Sequence, residues 1–430
     1  MMSISAVSDD EMTGLSVPEG PRLVSMTMEQ AVPEKTPAAI IRVIGIGGGG
    51  ANLTNNMIDK GIADVEFFAV NTDVQDLFQK SRAPGKIPIG KKLTGGRGAG
   101  GDPVTGEKAA NEDRDTILGW LKGVDMVFIT ATFGGGTGTG AAPVIAKLAK
   151  EEGALTVGIV TLPFEFEGPY KMELADAGIN KLRESIDTLI VIPNENVFEF
   201  DKNIKAREAY LKANDILYCG VKGISDIITR TDFVNTDFAD VAETMRNKGD
   251  ALFGIGIAEG QNRGLHAATQ AVNNPFFAGT TITGATSILV NIAASEDLGM
   301  MEVKEVVEAI RKGADPRVKL IHGLSIDPLL EEKIQVTVIA TGFAREDNQG
   351  REKGNLHLVR EEREEQDIYN TEEWDQIFNK GRGGGFLGPR NIPDDLDVPT
   401  IIRDKKQEMD KNRNFDFGGS GRSGTEQGPK

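Results

Sequence analysis

Phe133-Gly134-Gly135-Gly136-Thr137-Gly138-Thr139-Gly140 follows an apolar run, Met126–Ala131, and precedes a stretch of helical character, Ala141–Lys150. Strand, glycine loop and helix, in that order, build an anion site. Backbone N–H groups converge in the loop, and the helix N-terminus adds partial positive charge. Glycines reach φ > 0 and let the main chain touch a ligand. Thr137 and Thr139 add hydroxyl donors. A generic phosphate loop needs fewer glycines and no Thr-Gly repeat, so the pattern is specific.

A second glycine loop, Gly45-Ile46-Gly47-Gly48-Gly49-Gly50-Ala51-Asn52, follows an earlier strand-like run, Ile40–Ile46. Alone it is compatible with a dinucleotide fingerprint, with Asp73 near the place of a ribose-binding acid. An oxidoreductase would have no use for the richer loop at Phe133–Gly140, and no catalytic His or Lys motif follows in a second domain. Two such loops on one sheet suggest several phosphates held from two sides. No G-x-x-x-x-G-K-[ST] occurs, which excludes a P-loop enzyme. Asn247-Lys248-Gly249-Asp250 mimics a guanine-reading N-K-x-D, but without a P-loop it reads as a polar helix end with a glycine stop.

The rest of the chain sets the frame. Its 430 residues predict two or three domains. A single cysteine, Cys219, excludes an intrachain disulfide framework and fits a reducing compartment. The three histidines, His266, His322 and His357, are scattered, so no His/Cys metal site is expected. No apolar run reaches the roughly 18 residues of a spanning helix, and acidic residues stand where a signal peptide needs cations. The expectation is a cytoplasmic protein. A net charge of −17 disfavours direct binding to nucleic acid or to an anionic membrane, and no direct membrane insertion is expected.

Strand and helix patterns alternate from Ile40, through Val65–Val70, Met126–Ala131, Leu155–Leu162 and Thr188–Ile192. This predicts an α/β fold with a Rossmann-like parallel sheet and helices on both faces. A long central helix is expected over 205–229. Ala251–Ile257, Ser287–Ala293, Val318–Leu324 and Ile334–Ala340 read as strands of a smaller α+β domain with a mixed sheet. The expected divisions are a disordered extension over 1–37, a nucleotide domain over 38–204, the helix, a C-terminal domain over 230–343, a disordered linker over 344–390, and a peptide with a polar tail over 391–430.

Taken together, the two loops resemble those of the tubulin/FtsZ superfamily, and further motifs place the chain beside the bacterial FtsZ family of cell-division GTPases. Val70-Asn71-Thr72-Asp73, Gly98-Ala99-Gly100, Pro163-Phe164-Glu165-Phe166-Glu167-Gly168, Ile192-Pro193-Asn194, Ala213-Asn214-Asp215 and Asn235-Thr236-Asp237-Phe238-Ala239-Asp240 occur in the family's order. The resemblance covers about 38–343 and the short peptide Asp394–Arg403. It implies GTP/GDP as ligand, with Mg²⁺ carried by the nucleotide rather than by a metal site of the protein. Gly48, Gly49, Gly50, Ala51 and Asn52 would approach the α and β phosphates and the nucleoside. Ala99 and Gly100 would lie near the γ-phosphate. Gly135, Gly136, Thr137, Gly138 and Thr139 would hold the β and γ phosphates. Glu167 would cap the ribose, and Asn194, Asn214 and Asp215 would read guanine, whose N1–H and N2–H₂ donors suit a carboxylate.

Asn235, Asp237 and Asp240 are the implied catalytic residues. Their loop lies beyond the long helix from the phosphate loops, so it would act on the nucleotide of the next subunit in a head-to-tail homopolymer. A carboxylate is a weak base for free water, so positioning and charge stabilisation should dominate. Hydrolysis would then be switched on by assembly, at a mid-cell division ring. The alternatives are a tubulin-like filament protein for plasmid partition or cell shape, and a GTP-binding scaffold with negligible hydrolysis.

Five positions depart from the family pattern. Lys171 replaces a phosphate-side arginine and keeps the charge without the bidentate fork. Tyr210 replaces a phenylalanine that stacks on guanine. Asp102 replaces a frequent asparagine, and Thr231-Asp232 replaces Pro-Gly. Asp394–Arg403, with apolar Leu396, Val398, Ile401 and Ile402, resembles the peptide that binds membrane-tethering and regulatory division proteins. Asn370 and Glu373 have capping-box spacing ahead of Trp374, Ile377 and Phe378, a second candidate partner site.

Overall fold

The computed structural model describes residues 39–199, 201–229, 236–274 and 282–343. The extension, the linker, the terminal peptide, Thr231-Asp232, Asn235 and the Asn370–Phe378 segment lie outside the described residues.

The first half reads β1 (Ile41–Ile46), α1 (Gly47–Asp59), β2 (Glu66–Asn71), α2 (Val74–Lys80), β3 (Gly85–Pro88), α3 (Lys91–Thr94), α4 (Pro103–Glu112) and α5 (Arg114–Leu121). Then come β4 (Met126–Thr132), α6 (Gly136–Glu151), β5 (Leu155–Leu162), α7 (Pro169–Ser185), β6 (Thr188–Pro193) and α8 (Ala206–Thr229). The rest is α9 (Phe238–Met245), β7 (Gly249–Glu259), α10 (Arg263–Val272), β8 (Ser287–Ala294), α11 (Met300–Lys312), β9 (Lys319–Ile326) and β10 (Lys333–Thr341). The expected strands and the central helix are present within a few residues. The sequence reading contains no strand at β3, which is four residues long, ends in proline and sits at the sheet edge, where period and propensity are weakest.

Strands β1 to β6 pair in parallel in the order β3-β2-β1-β4-β5-β6. Both faces are buried, as parallel sheets require. Ile41, Val43, Met126, Phe128, Val157 and Ile159 point to one core with Leu53 and Met57 of α1 and Ile216 and Leu217 of α8. Ile44, Ile46, Val127, Ile129 and Val160 point the other way, against Ile117 of α5, Ile145 and Leu148 of α6 and Leu182 of α7. A third core lies between the outer face of β8 and β10 and helices α10 and α11.

The expected parallel sheet and smaller mixed sheet are both present, and they are continuous as one ten-stranded sheet. Strand β7 joins the halves. Gly249–Ala251 extend β6 in parallel, and Leu252–Glu259 pair antiparallel with β10. Eleven residues is long for a strand, and that length lets one strand serve both partners. Helix α8 crosses the junction. Its 24 residues span about 36 Å. Gly220 leaves room for Ile159 and Phe253, and Gly223 sits where a Cβ would be 2.9 Å from Thr337 Cγ2.

The amino edge of the sheet is pinned by Asp187, whose residue is 0 % exposed. Its carboxylate accepts from the Thr156 amide at 3.0 Å, the Thr156 hydroxyl at 2.9 Å and the Asn247 amide at 3.2 Å, and pairs with Lys150 at 3.0 Å. Asn247 itself is left-handed, with φ +55, at the turn after α9. Burial alone would raise the Asp187 carboxyl, but these donors outweigh it and hold the group below the usual carboxylate range. A depressed folded value stabilises above the unfolded value near pH 3.9 and is lost as pH falls through the folded value. Asp187→Ala is expected to cost about 3 kcal/mol in urea unfolding at pH 7. The difference from the parent should shrink below about pH 4 as the parent loses the same interactions.

Candidate functional site

The parallel strands end at one edge, and the loops singled out from the sequence leave the sheet there. Helix α1 begins at Gly47, directly after β1, and α6 at Gly136, shortly after β4. Neither helix has a side-chain cap or an acidic residue in its first turn. Their first-turn N–H groups are therefore free to serve an outside acceptor. The two ends touch: a Cβ on Gly47 would lie 3.0 Å from the Gly138 nitrogen. Two helix dipoles thus direct positive potential at one place.

The glycines divide into two kinds. At Gly49 an added Cβ would lie 1.8 Å from Thr132 Oγ1, at Gly50 2.6 Å from the Thr130 carbonyl, and at Gly138 2.8 Å from the Thr132 carbonyl. These close the packing of α1 and α6 onto the strands. Gly100 and Gly135 meet nothing within 4 Å, and Gly48 meets only the Asp76 carboxylate, at 3.2 Å. These line the open cradle, with Gly100 at φ +62. Gly136 packs on Ala99 and on the Asp102 nitrogen, which brings the Gly98–Gly101 loop against the start of α6.

Both threonines of the motif brace it. Thr137 Oγ1 lies 2.7 Å from Thr72 Oγ1, tying the ends of β2 and α6. Thr139 Oγ1 accepts from the Gly134 amide at 2.9 Å, holding the turn at Gly134, φ +95. Asp102 serves as the N-cap of α4, accepting from the Val104 and Thr105 amides at 3.0 and 3.1 Å and from the Thr105 hydroxyl at 2.7 Å. The Thr105 hydroxyl first, then the Val104 amide, hold its carboxyl below the usual range. Its oxygens are turned to the helix, which gives Asp102 a local structural role.

On the other flank, Glu167 accepts from the Phe164 amide at 3.1 Å and pairs with Lys171 at 3.0 Å. Lys171 lies against the glycine loop through its backbone: its carbonyl is 3.0 Å from a Cβ added at Gly134. Tyr210, 47 % exposed, meets Phe164 edge-on at 5.2 Å, and Phe166 stacks on the same ring at 5.1 Å. Burial and then the Glu167 carboxylate push the Tyr210 hydroxyl up. Glu167, Lys171 and Tyr210 therefore share one rim.

The buried end of the site holds Asn194 and Asp215. Asn194 is 3 % exposed and its Oδ1 has no partner. Asp215 pairs with Lys60 at 2.6 Å and accepts from Asn56 Nδ2 at 3.2 Å; Asn56 Oδ1 is also without a partner. Burial raises the Asp215 carboxyl against the pull of Lys60. Orphaned buried acceptors need donors, and a ligand edge rich in N–H groups has the matching chemistry. Ala51 is buried, Asn52 exposed and Asn214 half-buried. The sequence reading missed Asn56 and Lys60. They lie one and two turns after Asn52, on the α1 face that meets α8, and helical spacing from Asn52 was the signal for them.

Asp237 and Asp240 are elsewhere. Asp237 precedes the first residue of α9 and Asp240 is in its first turn, both exposed and neither capping the helix with its side chain. The far end of α9 lies on the amino edge of the sheet. Thr188, first in β6, donates to the Met245 carbonyl. Thr341, last in antiparallel β10, donates to Thr244 at 2.7 Å, and Lys319, first in β9, pairs with Glu243 at 2.7 Å. Helix α8 separates this acidic pair from the cradle.

Residues 40–202 match the family model described as Tubulin/FtsZ family, GTPase domain, and residues 249–344 that described as FtsZ family, C-terminal domain. A solved FtsZ dimer of M. jannaschii, in an empty state, aligns at 42% identity and TM-score 0.68, covering 72% of this chain and 89% of that one. The chain belongs to the tubulin/FtsZ family. A second M. jannaschii FtsZ structure, that of a tryptophan-to-tyrosine mutant, aligns at 42% identity and TM-score 0.67, over 71% of this chain and 91% of that one. CetZ1 of Haloferax volcanii, a GDP-bound monomer, shares the fold at 20% identity and TM-score 0.60, over 80% of this chain and 99% of that one. In this tubulin/FtsZ-family chain the two uncapped helix ends fall inside the segment matched as a GTPase domain, whereas Asp237 and Asp240 fall between the two matched segments.

Proposed function

We propose that this tubulin/FtsZ-family chain binds GTP at the carboxyl edge of its parallel sheet, polymerises head to tail, and hydrolyses GTP where Asp237 and Asp240 of one subunit meet the nucleotide of the next. What supports this reading is that α9, whose first turn carries the acidic pair, is anchored by its far end to the amino edge of the sheet, whereas the glycine loops leave the carboxyl edge, so that no single chain brings the two together. Stacking by translation along α8 would bring amino edge to carboxyl edge.

In this reading the α1 and α6 N-termini, with Gly48–Ala51 and Gly135–Thr139, take the phosphates, joined by Ala99, Gly100 and Lys171. Glu167 and Tyr210 flank the sugar and base, with Asn52 beside the nucleoside. Asn194, Asn214 and Asp215 take the N–H edge of guanine, with Asn56 supporting Asp215. Among the described residues no three His, Cys, Asp or Glu side chains gather to hold a metal. Mg²⁺ would come with the nucleotide, held by its phosphates, and would neutralise their charge. Asp237 and Asp240, with Asn235, orient the attacking water, and fixed dipoles at the helix ends stabilise the charge that develops on the phosphates.

The biological role proposed is that of the cytoplasmic division-ring filament of a bacterial cell, with Asp394–Arg403 recruiting membrane-tethering and regulatory proteins. No described helix is long and apolar enough to cross a membrane, so attachment would come through those partners. GTP turnover measured against protein concentration, with pelleting on the same samples, tests the shared site. Both should vanish below one threshold concentration. Turnover per chain that is flat with concentration would refute it.

A further inference from the structure

We infer that the cavity between α5 and the edge strands is a docking groove for this chain's own segment Arg22–Met28. The cavity, about 750 Å³, is lined by Arg42, Phe68, Gly85, Asp115, Gly119 and Trp120, among others. It lies on the amino-edge side of β1, β2 and β3, and the inference does not depend on the nucleotide reading.

Three observations carry it. First, Gly119 sits inside α5, where glycine costs about 1 kcal/mol relative to alanine. Nothing lies within 4 Å of its missing Cβ, so no packing contact within the chain requires it, and it lines the cavity. Second, the wall is aromatic and held in place. Trp120, 37 % exposed, meets Phe68 edge-on at 4.9 Å, and Arg42 spans the Phe68 ring, Glu66 and the Trp120 carbonyl. Gly85 allows the Phe68 ring to lie on the β3 backbone, 2.0 Å from where a Cβ would be. Third, the chain enters the fold at the rim. Ile40 is anchored to Asp125 through its amide at 2.8 Å and lies on the same pleat face as Arg42, about 7 Å outside it.

The segment fits that wall by pattern and charge. Arg22, Val24, Met26 and Met28 alternate with Leu23, Ser25 and Thr27, so an extended backbone presents one cation and three apolar side chains on a single side. Methionine suits an aromatic wall. The exposed carboxylates of Glu66 and Asp115 suit Arg22. Eleven residues separate Met28 from Ile40, a span of roughly 20 Å if flexible, enough to fold back over a groove that starts one pleat away.

Two measurements on the full chain test this. Met26→Cys combined with Gly119→Cys should form an intrachain disulfide under mild oxidation about tenfold faster than Met26→Cys combined with Lys304→Cys on α11, because a docked segment has millimolar effective concentration at its site. The native Cys219 is buried, with its thiol pushed up to about 12, and stays out of the exchange. Equal rates overturn the inference, and an interchain crosslink overturns it in favour of a second copy as occupant. Independently, with Trp374→Phe leaving Trp120 as the sole tryptophan, Val24→Ser, Met26→Ser and Met28→Ser together should raise acrylamide quenching of Trp120 about twofold, since removing a docked side chain bares the ring. Unchanged quenching also overturns it.

Discussion

Asp237→Ala is expected to lower GTP turnover by about 10²–10³-fold while GTP affinity of the unassembled chain stays within about twofold. The change removes an exposed carboxylate that touches no described part of the cradle, so binding should be spared and only the assembled reaction lost. A mixing experiment separates a shared site from a merely weakened polymer. Gly135→Glu places a carboxylate at the mouth of the cradle, where an added Cβ meets no protein atom within 4 Å, so the fold should tolerate it while like charge opposes phosphate. Neither variant should turn over GTP alone. In a 1:1 mixture about a quarter of head-to-tail contacts pair an intact cradle with an intact Asp237, and about a quarter of parental turnover should return. If the mixture stays as inactive as its components while copolymers pellet, the shared site is wrong.

Gly140→Ala is expected to destabilise the chain by about 3 kcal/mol or more and to abolish GTP binding, whereas Gly135→Ala should change stability by less than about 0.5 kcal/mol. The two glycines stand five apart in one motif. At Gly140 a Cβ would lie 1.9 Å from the Pro103 carbonyl and 2.7 Å from the Glu107 nitrogen, both main chain of α4. Main chain cannot rotate aside, so α4 must separate from α6. That separation also frees the Gly98–Asp102 loop from the start of α6 and spoils the cradle. At Gly135 the backbone is extended, with φ −99 and ψ 178, and the added methyl faces open space. Urea unfolding with GTP binding measured on both variants checks the contrast. Equal losses would show that the motif glycines serve the ligand rather than the helix contact.

That contrast marks a limit of reading the chain alone. Strands with continuous apolar runs, such as Met126–Ala131 and Leu155–Leu162, were legible because burial on both faces leaves no polar positions. The glycine loops were legible because few other uses need so many glycines between strand and helix. The division of labour among those glycines was not, since it depends on which backbone comes to lie beside each one. Asn56 and Lys60 were missed for the same kind of reason: their significance lies in α1 meeting α8 at Asp215, some 160 residues later in the chain. Asp102 was ambiguous as one letter and becomes plain as an N-cap once α4 is seen to start at Pro103.

By itself the sequence determined the element types, the parallel α/β class and the two glycine loops between strand and helix, because these rest on local periodicity and backbone freedom within a few residues. Only the tertiary structure decided that β7 makes the sheet continuous across both halves, and that Thr137 and Thr139 brace the loop through Thr72 and Gly134. These are relations between segments far apart in the chain. Long-range packing and the direction of a strand set them, and no local pattern encodes either.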